Sequence, residues 1–465
     1  MRRTEAQFQR LKSFLRARLD GSGRRLLKNV SLLYSGQALS MILGMASLSL
    51  MCRILPPAAL GTLQLIQTYV AWVESLLGFQ SWQSVIRYGA AAITDQDDER
   101  LHRFLKVAFL VDAAAAAVAA LVVIGSVWSV GSLWHWSVQE KQLASIAGLC
   151  LITHISGSPT GILRLFNRFD LIVRVGVVAS VVRCILLGVA LYAWPSFSAV
   201  FLIWLVSDIY SKMSLLLSAL AELRRAGHGG WWRCSLKGVL AQNPGLIRFM
   251  VSTNLQGSVR LAVKSTDVFV LGALVGPEAV ALWTVAKKIS SPVAMAVDPL
   301  CQVIYPEAAS LWSEGRVVEF NRLLRRTARL GAAPGLAVLL TVLLAGGWIL
   351  TLIGGDSYRA AYSALTWQCL GMGVWCYSSP LPSGLLAIGR ADALLWTTTL
   401  TAVLYLIMLL ALTRVAGIAG TGMAYAAYMA VTAFSMQAAL VLYQRQTELS
   451  AVAQDHKSDA VSLDG

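Results

Sequence analysis

The sequence predicts an all-α polytopic membrane protein of about twelve transmembrane helices, built as two parallel six-helix lobes around a central cavity. Three observations predict this. Apolar stretches of roughly twenty residues, long enough to cross about 30 Å of hydrocarbon as helix, recur along the whole 465-residue chain. Lys and Arg gather in alternate loops, which is how short cytosolic loops are marked. A Pro/Gly pattern in the first half of the chain returns in the second. With 57% hydrophobic and 14% charged residues and a mean hydropathy of +0.63, the chain lies outside the range of soluble globular domains.

The spans fall near residues 30–52, 60–84, 104–128, 143–163, 171–193, 197–219, 247–274, 279–304, 331–353, 361–386, 392–412 and 416–442. They divide the chain into a tail (1–29), an N-lobe (30–222), a linker (223–246), a C-lobe (247–443) and a second tail (444–465). No segment outside the spans is long enough for a folded catalytic domain. The first tail carries nine Lys and Arg from Arg2 to Lys28. Alternate loops carry Arg100/Arg103/Lys106, Arg164/Arg168/Arg174, Arg224/Arg225/Arg233/Lys237 and Arg316/Arg322/Arg325/Arg326, whereas the others hold Arg53, Lys141, Arg359 and Arg414. Both termini are therefore expected in the cytoplasm.

The net charge of +15 reads as cytosolic loops against anionic headgroups and not as nucleic-acid binding, because no aromatic-interleaved basic domain is present. The tail is too charged for a secretory signal peptide. Its Phe8, Leu11, Phe14, Leu15 and Leu19 fall at helical spacing, which suits either a helix in the headgroup layer or a disordered tail. Seven cysteines without a CxxC pair read as small apolar fillers.

The repeat aligns Ile54-Leu55-Pro56-Pro57-Ala58-Ala59-Leu60-Gly61 with Leu274-Val275-Gly276-Pro277-Glu278-Ala279-Val280-Ala281, 220 residues later. Ser158-Pro159-Thr160-Gly161-Ile162-Leu163 then matches Leu381-Pro382-Ser383-Gly384-Leu385-Leu386, and Arg168-Phe169-Asp170 matches Arg390-Ala391-Asp392. An even number of helices per half gives both halves one orientation, a transporter's layout. Helices four and ten are thus interrupted at matching places by Pro159 and Gly161 and by Pro380, Pro382 and Gly384. Proline inside a helix frees a carbonyl and bends the axis, so these positions read as hinges or as packing kinks. In the linker, Trp231 and Trp232 read as headgroup anchors.

Charges inside the bilayer are costly unless they face a cavity or a partner. On helix seven Arg260, Lys264 and Asp267 lie at i, i+4 and i+7 on one face. Helix eight adds Lys287, Lys288 and Asp298. Asp208 and Lys212 on helix six have the i, i+4 spacing of an internal ion pair, helix two holds Glu74, and helix five holds Arg183. With Arg248 the set has seven basic and four acidic members, so the cavity they imply is net positive and favours an anionic cargo. Arg260, Lys264, Lys287, Lys288, Arg183 and Arg53 are the candidate ligands for its phosphates, since guanidinium donates bidentate bonds and ammonium acts as a point charge. Asp267, Asp298, Glu74, Asp208 and Lys212 are candidates for a coupling cation, H⁺ or Na⁺, or for charge pairing that locks helices together. Asp112 is expected near the cytosolic end of helix three.

Signals for an enzyme are poor. Asp95-Gln96-Asp97-Asp98 contains a DxD, but it sits in a short connection and reads as a solvated loop. The five histidines have no metal-ligand spacing, and no Walker A sequence is present. The sequence therefore points to no enzyme, metal or cofactor.

The stretch Cys52-Arg53-Ile54-Leu55 through Gly61 resembles the Arg-x-Leu…Gly signature of the polysaccharide or O-antigen flippases in the multidrug/oligosaccharidyl-lipid/polysaccharide exporter superfamily. Thr266-Asp267-Val268-Phe269-Val270-Leu271-Gly272, Gly276-Pro277-Glu278-Ala279-Val280 and Trp283-Thr284-Val285-Ala286-Lys287-Lys288 are similar to its helix seven to eight segment, and Tyr305-Pro306-Glu307 to the element ending helix eight. Trp283 stands where Tyr is commoner. The resemblance covers nearly the whole chain. It implies a flippase in the bacterial inner membrane that moves polyprenyl-pyrophosphate-linked glycans for lipopolysaccharide or exopolysaccharide, with polymerase and glycosyltransferases as partners. A lipid II type flippase and a cation-coupled multidrug exporter share the fold and stay open as alternatives. The drug exporter implies an acidic cavity.

Overall fold

The protein is described by a computed structural model covering residues 21–79, 81–236 and 238–463, with side chains at 21–30, 240, 255–264, 296, 298–300, 302–303 and 445–463 outside the description. The tail residues Phe8 to Leu19 and the side chains of Arg260, Lys264 and Asp298 lie outside the described residues. Among those described, regular structure is entirely helical. Among the described residues, seven helical stretches are each long and apolar enough to cross a bilayer.

The helices are α1 (Gly21–Ile54), α2 (Pro57–Leu77), α3 (Ser81–Thr94), α4 (Asp98–Leu133), α5 (Val138–Cys150), α6 (Gly157–Leu165), α7 (Phe169–Ala193), α8 (Phe197–Arg225), α9 (Val239–Gln242), α10 (Leu246–Leu274), α11 (Pro277–Ser290), α12 (Pro292–Ser313), α13 (Val317–Gly354), α14 (Tyr362–Ser378) and α15 (Leu381–Ala387). A final helical run, Ala391–Leu463, divides at Gly417 into α16 (391–416) and α17 (418–463). Gly417 has φ 56° and ψ −130°, a region open to glycine alone. The chain reverses there. Thr413 and Thr421 bring their hydroxyls within 3.0 Å, and the Tyr405 and Tyr428 rings lie 4.8 Å apart.

Contacts divide the chain into two compact units, one of residues Met1–Ile54 with Tyr69–Ala262, the other of Leu55–Thr68 with Val263–Gly465. The second unit thus takes in the first turns of α2. The reason is close packing: a methyl group on Gly61 would overlap the Pro277 carbonyl, and one on Gly272 would meet Leu65 Cδ2 at 2.7 Å.

In the first unit the core gathers Val85 on α3, Leu101, Phe104 and Leu105 on α4, Ile162 and Leu163 on α6, and Ala219 and Leu223 on α8. The linker is pinned to this core. Trp231 stacks on Phe109 at 4.6 Å and Lys106 donates to the Cys234 carbonyl at 2.7 Å, so Trp231 packs on protein, while Trp232 is exposed. The Asp95–Asp98 loop has a structural role too, with Asp97 capping α4 by accepting from the Arg100 amide at 2.9 Å and Asp95 pairing with Arg100. In the second unit, Phe320 and Leu324 of α13 pack with Ile304, Leu381, Leu385, Met436 and Leu440.

The repeat positions occupy equivalent local structure. Pro57 and Pro277 each open a helix, where a missing N–H costs nothing. Pro159, Pro380 and Pro382 likewise stand at the starts of α6 and α15. The expectation of prolines kinking continuous helices is corrected to that extent: crossings four and ten are interrupted before the short helices, and the prolines begin new ones. Gly161 and Gly384 give close approach to Trp82 and to Leu324. Crossing two, read as one helix over 60–84, is broken at 78–79.

Candidate functional site

Two of these interruptions form the site. α2 places Glu74 one turn before its end, and the Gly78 amide closes that turn on the Glu74 carbonyl at 2.7 Å. α5 ends at Cys150, a single 3₁₀ turn follows over Leu151–Thr153, and the chain runs non-helically through His154 to Ser156 before α6. An interrupted helix brings both backbone and side chain to a cavity, which is how membrane proteins tolerate irregular backbone at depth.

The His154 side chain is 6% exposed and stands between two carboxylates: Nδ1 is 3.1 Å from Glu74 Oε2, and Nε2 is 3.1 Å from Asp208 Oδ2 on α8. The Nδ1 contact is off the hydrogen-bonding axis, so it is electrostatic, and that nitrogen has no aligned partner. Lys212 donates to Glu74 Oε1 at 2.9 Å. Arg183 of α7 is attracted to Asp208, and its buried Nε lacks a hydrogen-bond partner. Two carboxylates thus face Lys212 and Arg183, and the charge on His154 decides the sum. Neutral His154 leaves the cluster at zero, and protonated His154 leaves it at +1.

The expected Asp208–Lys212 pair within α8 does not form. Each takes a partner from another helix instead, because the break in crossing four sets His154 beside Asp208 and α2 sets Glu74 beside Lys212. His154 was not legible as a site residue from the sequence, where it is a lone imidazole in an apolar run.

Glu74 and His154 line a cavity of about 540 Å³ that also holds Trp82, Ser75, Ser156, Thr160 and the alanines Ala115, Ala116 and Ala119. Its other acid is Asp112. Expected near the membrane interface, Asp112 is buried, accepts from the Ser81 hydroxyl and takes the Ser158 amide at 2.6 Å. That amide is one of the unpaired N–H groups at the start of α6, so the carboxylate caps the helix from a distance. Glycine at 157 makes room for it, since a methyl there would lie 3.0 Å from Asp112 Oδ1 and closer to Ser81. Trp82 is covered on one face by Arg164, 4.3 Å from the ring centroid. The titratable groups on this wall are thus Glu74, Asp112 and His154, with Glu74 neutralised by Lys212, whereas the basic stripe expected from Arg260 and Lys264 has its side chains outside the described residues.

In the second unit, Asp267 is buried and accepts from the Trp283 indole at 2.9 Å, Lys287 at 2.8 Å and the Val268 amide at 2.8 Å. Lys287 is therefore paired with Asp267. Lys288 and Arg53 also have partners. Among the described residues, no group of three His, Cys, Asp or Glu is placed to hold a metal.

A family profile described as polysaccharide biosynthesis protein matches residues 26–312, more than half of the chain. The chain belongs to this family. The family member is 28% identical over 349 residues to the inner membrane protein YghQ of Escherichia coli (strain K12), covering 74% of this chain and 97% of the relative. Its fold is similar to that of an inward-facing multidrug resistance MATE family transporter of the MOP superfamily, with TM-score 0.68, 14% identity and coverage of 89% and 96%. It is also similar to lipid II flippase MurJ in an inward closed conformation, with TM-score 0.66, 12% identity and coverage of 88% and 87%. The fold is that of a multi-pass membrane transporter.

Proposed function

We propose that the chain is a flippase that moves an anionic polyprenyl-diphosphate-linked oligosaccharide or polysaccharide repeat unit across the inner membrane by alternating access, with no covalent chemistry of its own. The observation that carries this reading is the membrane-embedded cavity around Glu74, His154 and Asp112 in a member of a polysaccharide biosynthesis family. A sugar offers hydroxyl groups and apolar CH faces. The serine, threonine and carboxylate oxygens of the wall suit the first, and the Trp82 ring suits the second. Two carboxylates repel a diphosphate, so that end of the cargo is assigned to the basic stripe of Arg260 and Lys264, with Lys288.

Coupling is assigned to the His154 cluster. A proton taken up there converts a neutral group into a cation, the kind of change that biases one conformation over another. The helix breaks before α6 and α15 are the hinges, and glycosyltransferases and a glycan polymerase supply and consume the cargo.

The test uses the full chain in proteoliposomes with a labelled polyprenyl-diphosphate glycan and measures its accessibility to a reagent added outside. Wild type should move it and Arg260→Ala should not. Movement of lipid II in its place would favour the lipid II reading, movement of cationic drugs the exporter reading, and transfer from a labelled sugar donor an enzyme.

A further inference from the structure

α13 carries two tracks on opposite faces. Phe320, Leu324 and Ala328 are buried against the core of the second unit, and Gly331 packs on the Cys376 carbonyl. Half a turn round, Arg322, Arg325, Arg326 and Arg329 recur at the three- and four-residue spacing of one helical face, and all four are exposed. They point away from the unit's own packing.

The same face continues into Leu336, Leu340, Leu343 and Leu344, exposed by 56%, 49%, 48% and 87%. Exposed leucines in the apolar part of a membrane helix are lipid-facing. The arginines span eight residues, about 10 Å of axis, and side chains of this length reach along the headgroup layer. One face of one helix thus reads cationic, then apolar, with the period unbroken.

These guanidiniums are also unoccupied by acids. Among the described residues none of the four has a carboxylate within 4 Å, although Glu307 and Glu319 flank Arg322 and Arg326. Neighbouring Arg316 differs, being held by Glu314 and Glu319, and its guanidinium, with the Ser310 hydroxyl, keeps the Glu314 carboxyl below the usual carboxylate range. Arg100, Arg103, Arg168 and Arg225 are likewise paired with acids. The recess among the four free side chains, about 550 Å³, includes Asn321 as a further polar group.

We propose that this face of α13 is a binding site for an anionic phospholipid of the adjoining leaflet, with the phosphodiester headgroup on the arginines and the acyl chains along the leucines. Guanidinium forks match phosphate oxygens bidentately, and the leucine track gives the site a demand for an attached chain that a soluble phosphate does not meet. The site is distinct from the cavity of the first unit and does not depend on which cargo the protein carries.

Native mass spectrometry of the full chain in detergent, titrated with phosphatidylglycerol or phosphatidylcholine, tests this. Wild type should retain one phosphatidylglycerol at least tenfold more tightly than phosphatidylcholine. R322Q/R326Q/R329Q should lose that preference, whereas R100Q/R103Q/R225Q, with the same charge removed at paired arginines, should keep it. L336S/L340S should weaken both lipids. Where the triple glutamine variant does not elute as a single species, R326Q and R329Q alone should each weaken phosphatidylglycerol at least threefold. Inorganic diphosphate at equal concentration should leave the lipid bound. Equal retention of the two lipids, wild-type retention by the arginine variants, or displacement by inorganic diphosphate would each overturn the proposal.

Discussion

Lys212 Nζ lies 2.9 Å from Glu74 Oε1 on α2, and not on Asp208 one turn away on its own helix. The pair ties two membrane helices together beside the cavity. Both side chains are about a quarter exposed, so their coupling is smaller than that of a fully buried pair. Glu74→Gln and Lys212→Met should each lower thermal stability, and the double variant should lose less than their sum by about 0.5–3 kcal/mol. Additive losses in a melting experiment in detergent would show that the contact is not energetically coupled.

His154 carries the titratable element of the cluster, so replacing it with a side chain that bears no proton should remove a pH response and leave the fold. For His154→Gln, transport of the labelled glycan lipid is expected to be flat across about pH 5–8, where wild type varies. A wild-type profile in the variant would move coupling away from this residue.

Gly157 and Asp112 act together at the start of α6. Gly157→Ala places a methyl against the carboxylate and the Ser81 hydroxyl, which costs about 1–3 kcal/mol as overpacking. Asp112→Asn keeps the shape and loses the charge, costing about 1 kcal/mol at a helix N-terminus. Melting points should therefore fall further for the alanine. The reverse order would mean that space, not charge, is plentiful at this corner.

Asp267 holds Lys287 and the Trp283 indole in a buried site of the second unit. Lys287→Met leaves a buried carboxylate without its cation and should cost about 3–5 kcal/mol, much of it regained in Asp267→Asn/Lys287→Met. Expression yield and melting temperature check this. A double variant no better than the single would indicate that Lys287 does something other than neutralise Asp267.

Gly61 faces the Pro277 carbonyl with no room for a side chain. Gly61→Val should abolish accumulation of folded protein, read by size exclusion of a fluorescent fusion. A normal profile would show that α2 can move off the Pro277 turn at little cost.

What the sequence revealed follows from how each feature is encoded. Crossings are written locally, as length and hydropathy, so spans such as 171–193 and 197–219 agree with α7 and α8. The repeat was legible because its prolines mark helix starts, which is a local signal too. The break at 78–79 is not legible because Gly-Phe inside an apolar run is also compatible with helix. The His154 cluster was missed for a different reason. Its members come from α2, the α5–α6 break and α8, and the i, i+4 spacing of Asp208 and Lys212 suggested a pairing that tertiary neighbours override. The usable signal was depth, since Glu74, His154 and Asp208 all fall inside predicted spans.

The reversal at Gly417 bears on how the protein is made. Thr413 meets Thr421 and Tyr405 meets Tyr428 across a connection of almost no length, so these contacts close over a short loop and need no earlier part of the chain. The last two crossings can leave the translocation machinery already zipped as a hairpin, with Arg414 as the one charged side chain between residues 393 and 445. Closure of this hairpin thus rests on the backbone freedom of one glycine: a side chain at 417 should strain the turn and slow the meeting of the two apolar helices.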